Sequence, residues 1–413
     1  MRRLSAHLGV VTGLIVLAAA FGACAVGGGT SGTTTGGPTP TATPIPCATR
    51  ATTTATVWNE SDKQIHGSIG GAAPTILSNF HYPLGLPDES FEAATETLGR
   101  MTVSPDGHHI GVIVNVYVPN ARGFYPYVVD TTTHAVTRVG TISGYDPSSN
   151  EPRQLTWADN QTLLIFPGIR GVPSTDPAYS YDITTAAVTP LPGLTGVVEG
   201  VARCGVLFYM DFTDRTTYSD ADHTRVFNER IHRYNLASHT EIGSPLTIGD
   251  AFTWGGAEGD IFYPGWDVTR DGSRLAWQHA AVASGQVITS SFQSANADGS
   301  GLGAILTGPP AATAHSMAAL AISADGSLVA VTGAAPSPTV ITGPISGGGG
   351  IRYYTPDTDA PPAWLPDGSG FLAGGDAFTA GVNQYLLATA LDGSGRAHGT
   401  VAHATGYYPA TLP

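Results

Sequence analysis

Lysine is almost missing from this chain: Lys63 stands alone beside 17 arginines, and Lys and Arg together number 18 against 32 Asp and Glu. A formal charge of −14 repels a polyanion over most approaches, so nucleic-acid binding is excluded. Charge of either sign is scarce, at 12% of residues. Disordered chains are charge-rich and aromatic-poor, so that scarcity, with 42% hydrophobic residues and 35 aromatics, excludes disorder along the whole length. No His-Glu-x-x-His, no Gly-x-Ser-x-Gly elbow and no Walker or dinucleotide-binding loop occurs, which removes zincins, propeller-gated serine peptidases and the common nucleotide enzymes. The three cysteines, Cys24, Cys47 and Cys204, allow one disulfide at most.

What is plentiful is punctuation. The 413 residues include 53 Gly and 30 Pro. These cost a helix interior about 1 and about 3 kcal/mol relative to Ala, so the chain is cut into short elements joined by turns and reads as all-β.

Arg2 and Arg3 precede an uncharged apolar run at 8–21, followed by Gly22, Ala23 and Cys24. The run is shorter than the ~20 residues a permanent membrane helix needs, and its order matches a secretory signal at 1–23. Phe21-Gly22-Ala23-Cys24 resembles the bacterial lipobox, which implies that Cys24 becomes a lipidated first residue; plain secretion is the alternative. Cleavage would leave 16 basic residues against 32 acidic ones, a mature charge of −16. The following stretch contains only Ala, Val, Gly, Thr, Ser, Pro and Ile up to Pro46, so residues 24–50 form a lipidated cysteine and linker. A coil of that length holds its domain about 25 Å from the anchor. Cys47 and Cys204 are then available to each other as a disulfide pair; Cys204, within an apolar run, reads equally as a buried free thiol.

From residue 90 onward one pattern recurs: an apolar run, a tight turn, a second apolar run. Clear copies span 101–113, 267–277, 321–331 and 363–373, each with Asp-Gly at the turn. Degenerate copies at 155–166 and 201–209 carry Asn160-Gln161 and, where Asp would stand, Cys204. A second hairpin follows at 127–139, 179–189, 231–242, 294–305 and 387–398. Two hairpins make a four-stranded unit. The turn positions 106, 160, 204, 271, 325 and 367 are spaced 54, 44, 67, 54 and 42 residues apart, the period of a propeller blade.

Ser104-Pro105-Asp106-Gly107 with its following apolar strand, and Asn296-Ala297-Asp298-Gly299-Ser300 in the next hairpin, resemble the WD-like repeat of the TolB-type β-propeller, the periplasmic propeller of the Tol-Pal system. The resemblance covers nearly all of the chain after the linker and implies a β-propeller at 51–413. It says little of function, because this repeat builds binding proteins, peptidase appendages and lyases alike. The separate N-terminal domain of TolB has no counterpart, so its partners do not transfer. Val57, 65–69 and 75–80 supply three further strands and 401–412 a fourth, closing a seventh blade from both chain ends; six blades is the alternative.

Within such a fold the Asp-Gly turns lie on one face, and the connections between hairpins and blades on the other. Long loops are expected at 115–126, 167–178, 211–229, 249–267 and 332–350, and a binding site over the channel on that face. Trp254, Asp260, Tyr263 and Trp266 combine flat aromatics with carboxylate, suited to sugar rings or a cationic peptide, although such aromatics also commonly pack beneath a loop. His279 and His315 lie in segments able to approach the channel mouth, as does His81. Asp211, Asp214, Asp220 and Asp222 lack calcium-loop spacing and have Arg215 and Arg225 among them, so no metal site is read. The expectation is a non-enzymatic, extracytoplasmic, membrane-anchored monomer without cofactor that binds an envelope protein, peptide or glycan. A polysaccharide lyase or glycosidase and a structural member of a Tol-Pal-type envelope complex are the alternatives.

Overall fold

The computed structural model describes residues 55–59, 62–69, 73, 75–82, 84, 96–118, 121–140, 154–167, 175–211, 216–219, 224–253, 261–262, 265–283, 286–306, 319–334, 338–347, 352–354, 363–364, 371–373, 384–388, 400–403 and 410–411. Every regular element among them is a β-strand. The first three, β1 (Ala55–Asn59), β2 (Ile65–Ile69) and β3 (Thr75–Ile76), wait for a partner from the far end of the chain. Next come β4 (Glu96–Val103), β5 (His109–Val118), β6 (Ala121–Asp130) and β7 (Val136–Arg138), then β8 (Gln154–Trp157), β9 (Thr162–Phe166), β10 (Pro177–Asp182) and β11 (Ala187–Thr195), each set one four-stranded sheet in chain order. The third sheet is larger: β12 (Val197–Arg203), β13 (Val206–Asp211), β14 (Thr216–Ser219), β15 (Thr224–Asn235), β16 (Thr240–Glu241), β17 (Leu246–Thr253) and β18 (Ile261–Phe262).

Three more four-stranded sheets follow. They are β19 (Trp266–Val268), β20 (Arg274–Ala283), β21 (Gln286–Asn296) and β22 (Gly303–Leu306); β23 (Ala319–Ile322), β24 (Leu328–Ala334), β25 (Pro338–Pro344) and β26 (Arg352–Tyr354); and β27 (Ala363–Trp364), β28 (Phe371–Ala373), β29 (Gln384–Ala388) and β30 (Thr400–His403). The last strand, β31 (Ala410–Thr411), pairs with β1 and completes the sheet of β1–β3. The segment 401–412, read above as one strand, is therefore shared between two sheets, β30 ending one and β31 beginning another.

The first strands β4, β8, β12, β19, β23 and β27, with β31, neighbour one another in that order and return to β4, so they ring a central axis. This is an all-β propeller. Its core is a series of wedges between sheets, and strand periodicity explains them, because successive side chains point to opposite faces. On β9, Leu163 and Ile165 pack toward the sheet before, with Trp157 and Phe124, while Leu164 and Phe166 pack toward the sheet after, with Val197 and Leu207. On β13 the same alternation sends Leu207 and Tyr209 one way and Phe208 and Met210 the other. Strands buried on both faces read as unbroken apolar runs, which is why the repeat appears as apolar run, turn, apolar run. At Gly200 on β12 an added Cβ would stand 2.8 Å from the Phe166 ring, so this wedge closes only over a glycine.

Polar groups tie the inner strands together. Tryptophan in one sheet donates to the inner strand of the sheet before: Trp157 Nε1 to the Thr102 carbonyl at 3.2 Å and Trp364 Nε1 to the Ala321 carbonyl at 3.0 Å. Side chains also accept from the next sheet, as Gln154 Oε1 does from Gly200 N at 2.9 Å.

The Asp-Gly turns share one hydrogen-bond box. In the fifth sheet of the chain, Ser323 Oγ donates to Asp325 Oδ1 at 2.7 Å and accepts from Leu328 N at 2.9 Å, while Ser327 N donates to Asp325 Oδ1 at 3.0 Å. Ser104 with Asp106, and Thr269 with Asp271, repeat it. Glycine is required where φ turns positive, at +77°, +70° and +71° for Gly107, Gly272 and Gly326. Cys204 does not occupy the Asp position of this box. With φ of +49°, followed by Gly205 at +74°, it is one of two central residues in a tighter turn between the paired Arg203 and Val206.

These boxes make a pH prediction. Burial pushes the Asp325 carboxyl up, but the donors from Ser323, Ser327 and the backbone outweigh it and hold its pKa below the ordinary 3.8; Asp271 behaves alike. A depressed folded-state pKa stabilises fully above the unfolded value and is lost as pH falls through the folded one. Thermal stability is expected to decline as pH drops below about 3.8, and Asp325→Asn, compared with wild type by melting from pH 3 to 5, is expected to flatten part of that decline.

Candidate functional site

Strand order fixes two faces. Because the sheets are antiparallel, the turns between first and second strands and between third and fourth strands emerge on one face, the turn face. Second-to-third connections and the passages between sheets emerge on the other.

Several segments expected as loops on that second face are paired strands. β5 and β6 stay in register as far as Val118 opposite Ala121, and β24 and β25 as far as Ala334 opposite Pro338; β20 and β21, outside the segments expected as loops, pair as far as Ala283 opposite Gln286 with one register shift after Ala281. In the third sheet β14 pairs with the first part of β15, and β17 joins β15 on its other edge and carries β18. Segments 115–126, 211–229, 249–267 and 332–350 thus contain ladders that continue each sheet into projecting hairpins, here called the hairpin face. Pro126, at the end of the first of these segments, sits in the ladder opposite Ile113.

His279 on β20 is a strut between two of these hairpins. Its Nδ1 lies 2.8 Å from the Ile248 carbonyl on β17. A carbonyl only accepts, so Nδ1 carries the proton. Trp266, read above as a ligand platform, is instead a core residue: it is 6% exposed, packs with Val198, Phe208 and Trp277, and donates its indole N–H to Glu199 Oε2 at 3.2 Å. It opens the inner strand β19, where both faces are covered, so its ring is almost wholly enclosed. Trp254, Asp260, Tyr263 and His315 lie outside the described residues, as do Cys24 and Cys47. His81 is exposed. Among the described residues, no group of three or more His, Cys, Asp or Glu is placed to hold a metal ion.

Cys204 is disulfide-bonded, on the turn face; its partner is outside the described residues. Beside it is a charged cluster missed above. Arg203 ends β12, Asp267 lies on β19 and Arg270 on the turn that follows. Burial lowers the Arg203 pKa and the Asp267 charge opposes that; burial raises the Asp267 pKa, opposed by Arg203 and by backbone donors. Arg270 is lowered by burial and then by the like charge of Arg203. The signal available in the sequence was a charge inside each apolar inner strand, Val-Ala-Arg203 and Trp-Asp267-Val.

No protein-family model matches the chain, and no curated protein does. Solved structures resemble it at low identity. TolB from Acinetobacter baumannii is 12% identical over 87% of this chain and 66% of its own, with a TM-score of 0.41, so the chain spans just under two thirds of that protein. The β-propeller domain of the trilobed protease from Pyrococcus furiosus is 8% identical over 71% of this chain and 81% of its own, with a TM-score of 0.44. An oligogalacturonate lyase in complex with manganese is 14% identical over 84% and 98%, at 0.40. At such identity a likeness concerns the fold alone. The chain is an all-β propeller whose structural neighbours include TolB and other propeller proteins.

Proposed function

We propose that this is an exported, lipid-anchored propeller of seven blades that binds a peptide, protein or glycan through its hairpin face and has no catalytic activity of its own. The observation that carries the reading is the asymmetry of the two faces: tight hydrogen-bonded boxes on one, projecting ladders and the added strands β14 and β18 on the other. Recognition surfaces are commonly built from such extensions on a rigid scaffold. Strand order also supports the orientation. β1 is the second strand of its sheet, so it starts at the turn face, and β31, a first strand, ends there. The chain therefore enters and leaves this sheet at the turn face, opposite the hairpins. A Cys47–Cys204 disulfide would pin the linker's end to the same face.

The test uses soluble protein beginning at Ala25, which lacks Cys24 and keeps Cys47, screened on immobilised cell-wall glycan and on an array of envelope-protein peptides. Replacing residues 284–285 and 220–223 with the shortest workable turns, and removing the strand ends they join, is expected to weaken binding at least tenfold with the melting temperature unchanged. Binding that survives with full affinity would overturn the hairpin-face reading. Lipid label that persists in Cys24→Ser would overturn the anchor.

A further inference from the structure

We propose that His109 makes the joint between the sheet of β4–β7 and the sheet of β8–β11 a pH-sensitive device, in which charging the imidazole loosens the contact at the turn face. The three hydrogen-bond boxes supply the frame. Each is closed by the residue whose backbone N–H donates to the box hydroxyl: His109 to Ser104 Oγ at 2.9 Å, Arg274 to Thr269 Oγ1 at 3.0 Å and Leu328 to Ser323 Oγ at 2.9 Å. Of these three side chains, histidine alone changes charge between neutral and mildly acidic pH. On β5 it shares a face with Gly111 and Ile113, the face turned to the next sheet, where Leu163 stands 2.9 Å from a Cβ built on Gly111. There the ring lies against Trp157, with centroids 5.9 Å apart and planes tilted by 38°. Trp157 is itself buried and donates Nε1–H to the Thr102 carbonyl, so His109 leans on the residue that ties the two inner strands together.

His109 Nδ1 is buried with no hydrogen-bond partner among the described residues. A neutral imidazole carries one N–H and the imidazolium two, so charging the ring puts a donor where no acceptor stands and takes a charge out of water. The surrounding charges do not cancel this. Asp106 Oδ1 accepts from Ser104 Oγ and His108 N, and Asp130 Oδ1 from Thr132 N and Thr133 N; neither carboxylate takes a hydrogen bond from the His109 ring. Both favour the imidazolium through space, and the exposed His108 opposes it. The facing sheet presents Trp157, which does not titrate, and Asp159, whose Oδ1 accepts from Gln161 N and Thr162 N. Burial outweighs the two carboxylates and holds the His109 pKa below the ordinary 6.5. The joint therefore has its full strength above 6.5 and loses it as pH falls through the lower folded-state value, well before the aspartate boxes give way below about 3.8.

Hydrogen–deuterium exchange tests this on soluble protein beginning at Ala25, at pH 7.5 and at pH 5, with rates corrected for the intrinsic dependence of exchange on pH. Opening of peptides 101–113 and 154–166 is expected to rise at least about threefold at the lower pH, while 266–277 and 319–331, which carry the other two boxes, hold steady. His109→Gln, uncharged at both pH values, is expected to abolish the rise, and His108→Gln to keep it. No rise, a rise shared by all four peptides, one that persists in folded His109→Gln, or one that vanishes in His108→Gln would overturn the proposal. Should His109→Gln not fold, wild type beside His108→Gln decides, because charge on the exposed neighbour is the competing cause.

Discussion

Cys47→Ser is expected to lower the unfolding free energy by about 5 kcal/mol, the chain-entropy value for releasing a loop of about 157 residues closed between Cys47 and Cys204. That is a large share of the ~5–15 kcal/mol that a folded domain of ordinary stability has. The prediction rests on two observations: Cys204 is disulfide-bonded, and the start of β1 and Cys204 share the turn face. Serine at 47 is the cleaner substitution, because Cys204 stands at positive φ, where any replacement also changes backbone strain. Denaturant unfolding of wild type, Cys47→Ser and Cys24→Ser, with and without reductant, checks it. Cys24→Ser is expected to match wild type and reductant to have no effect on Cys47→Ser. A Cys24→Ser variant that loses the stability instead would assign the bond to Cys24, and with it would fall the lipid anchor.

The second large effect belongs to Trp277. Its side chain is 0% exposed in the wedge between the third and fourth sheets of the chain, against Val198, Phe208, Met210, Ile248 and Leu275. Trp277→Ala is expected to cost about 3–5 kcal/mol, since two packed sheets cannot collapse to refill so large a cavity. Trp277→Phe is expected to cost much less, because the indole Nε1 it discards is buried without a hydrogen-bond partner among the described residues. A melt of the two variants beside wild type separates them; equal losses would show that the indole nitrogen matters and that the packing account is wrong.

The parts of this fold that were readable in the sequence are the local ones. A box such as Ser323-Ala-Asp325-Gly326-Ser327-Leu328 closes within six residues, so its residue types and its turn appear together. The same holds for the third-to-fourth-strand turns, where Asp130 and Asp182 each accept from the two threonine N–H groups just after them. Ladders interrupted by Gly and Pro were not readable, because pairing partners across a hairpin compensate for poor propensity and a single strand does not reveal its partner. Strands of two residues, such as β31, have no period to detect. Trp266 was misassigned for a related reason: residue type suggests a platform, and only the neighbouring sheet decides that the ring is covered. The meeting of Arg203 with Asp267 was not legible at all, since it is made by ring geometry between strands of different sheets.

β1, where the linker would join the ring, lies between two partners: five residues in register with β2, from Ala55 opposite Ile69 to Asn59 opposite Ile65, and two with β31, Thr56 opposite Thr411 and Val57 opposite Ala410. A tether pulling on such a strand loads both ladders along their length, so hydrogen bonds on both sides resist together instead of opening one by one from an edge. The two ladders are unequal, five residues on one side and two on the other, so the closure of this sheet by the far end of the chain depends on the pairing of Ala410 and Thr411 with β1.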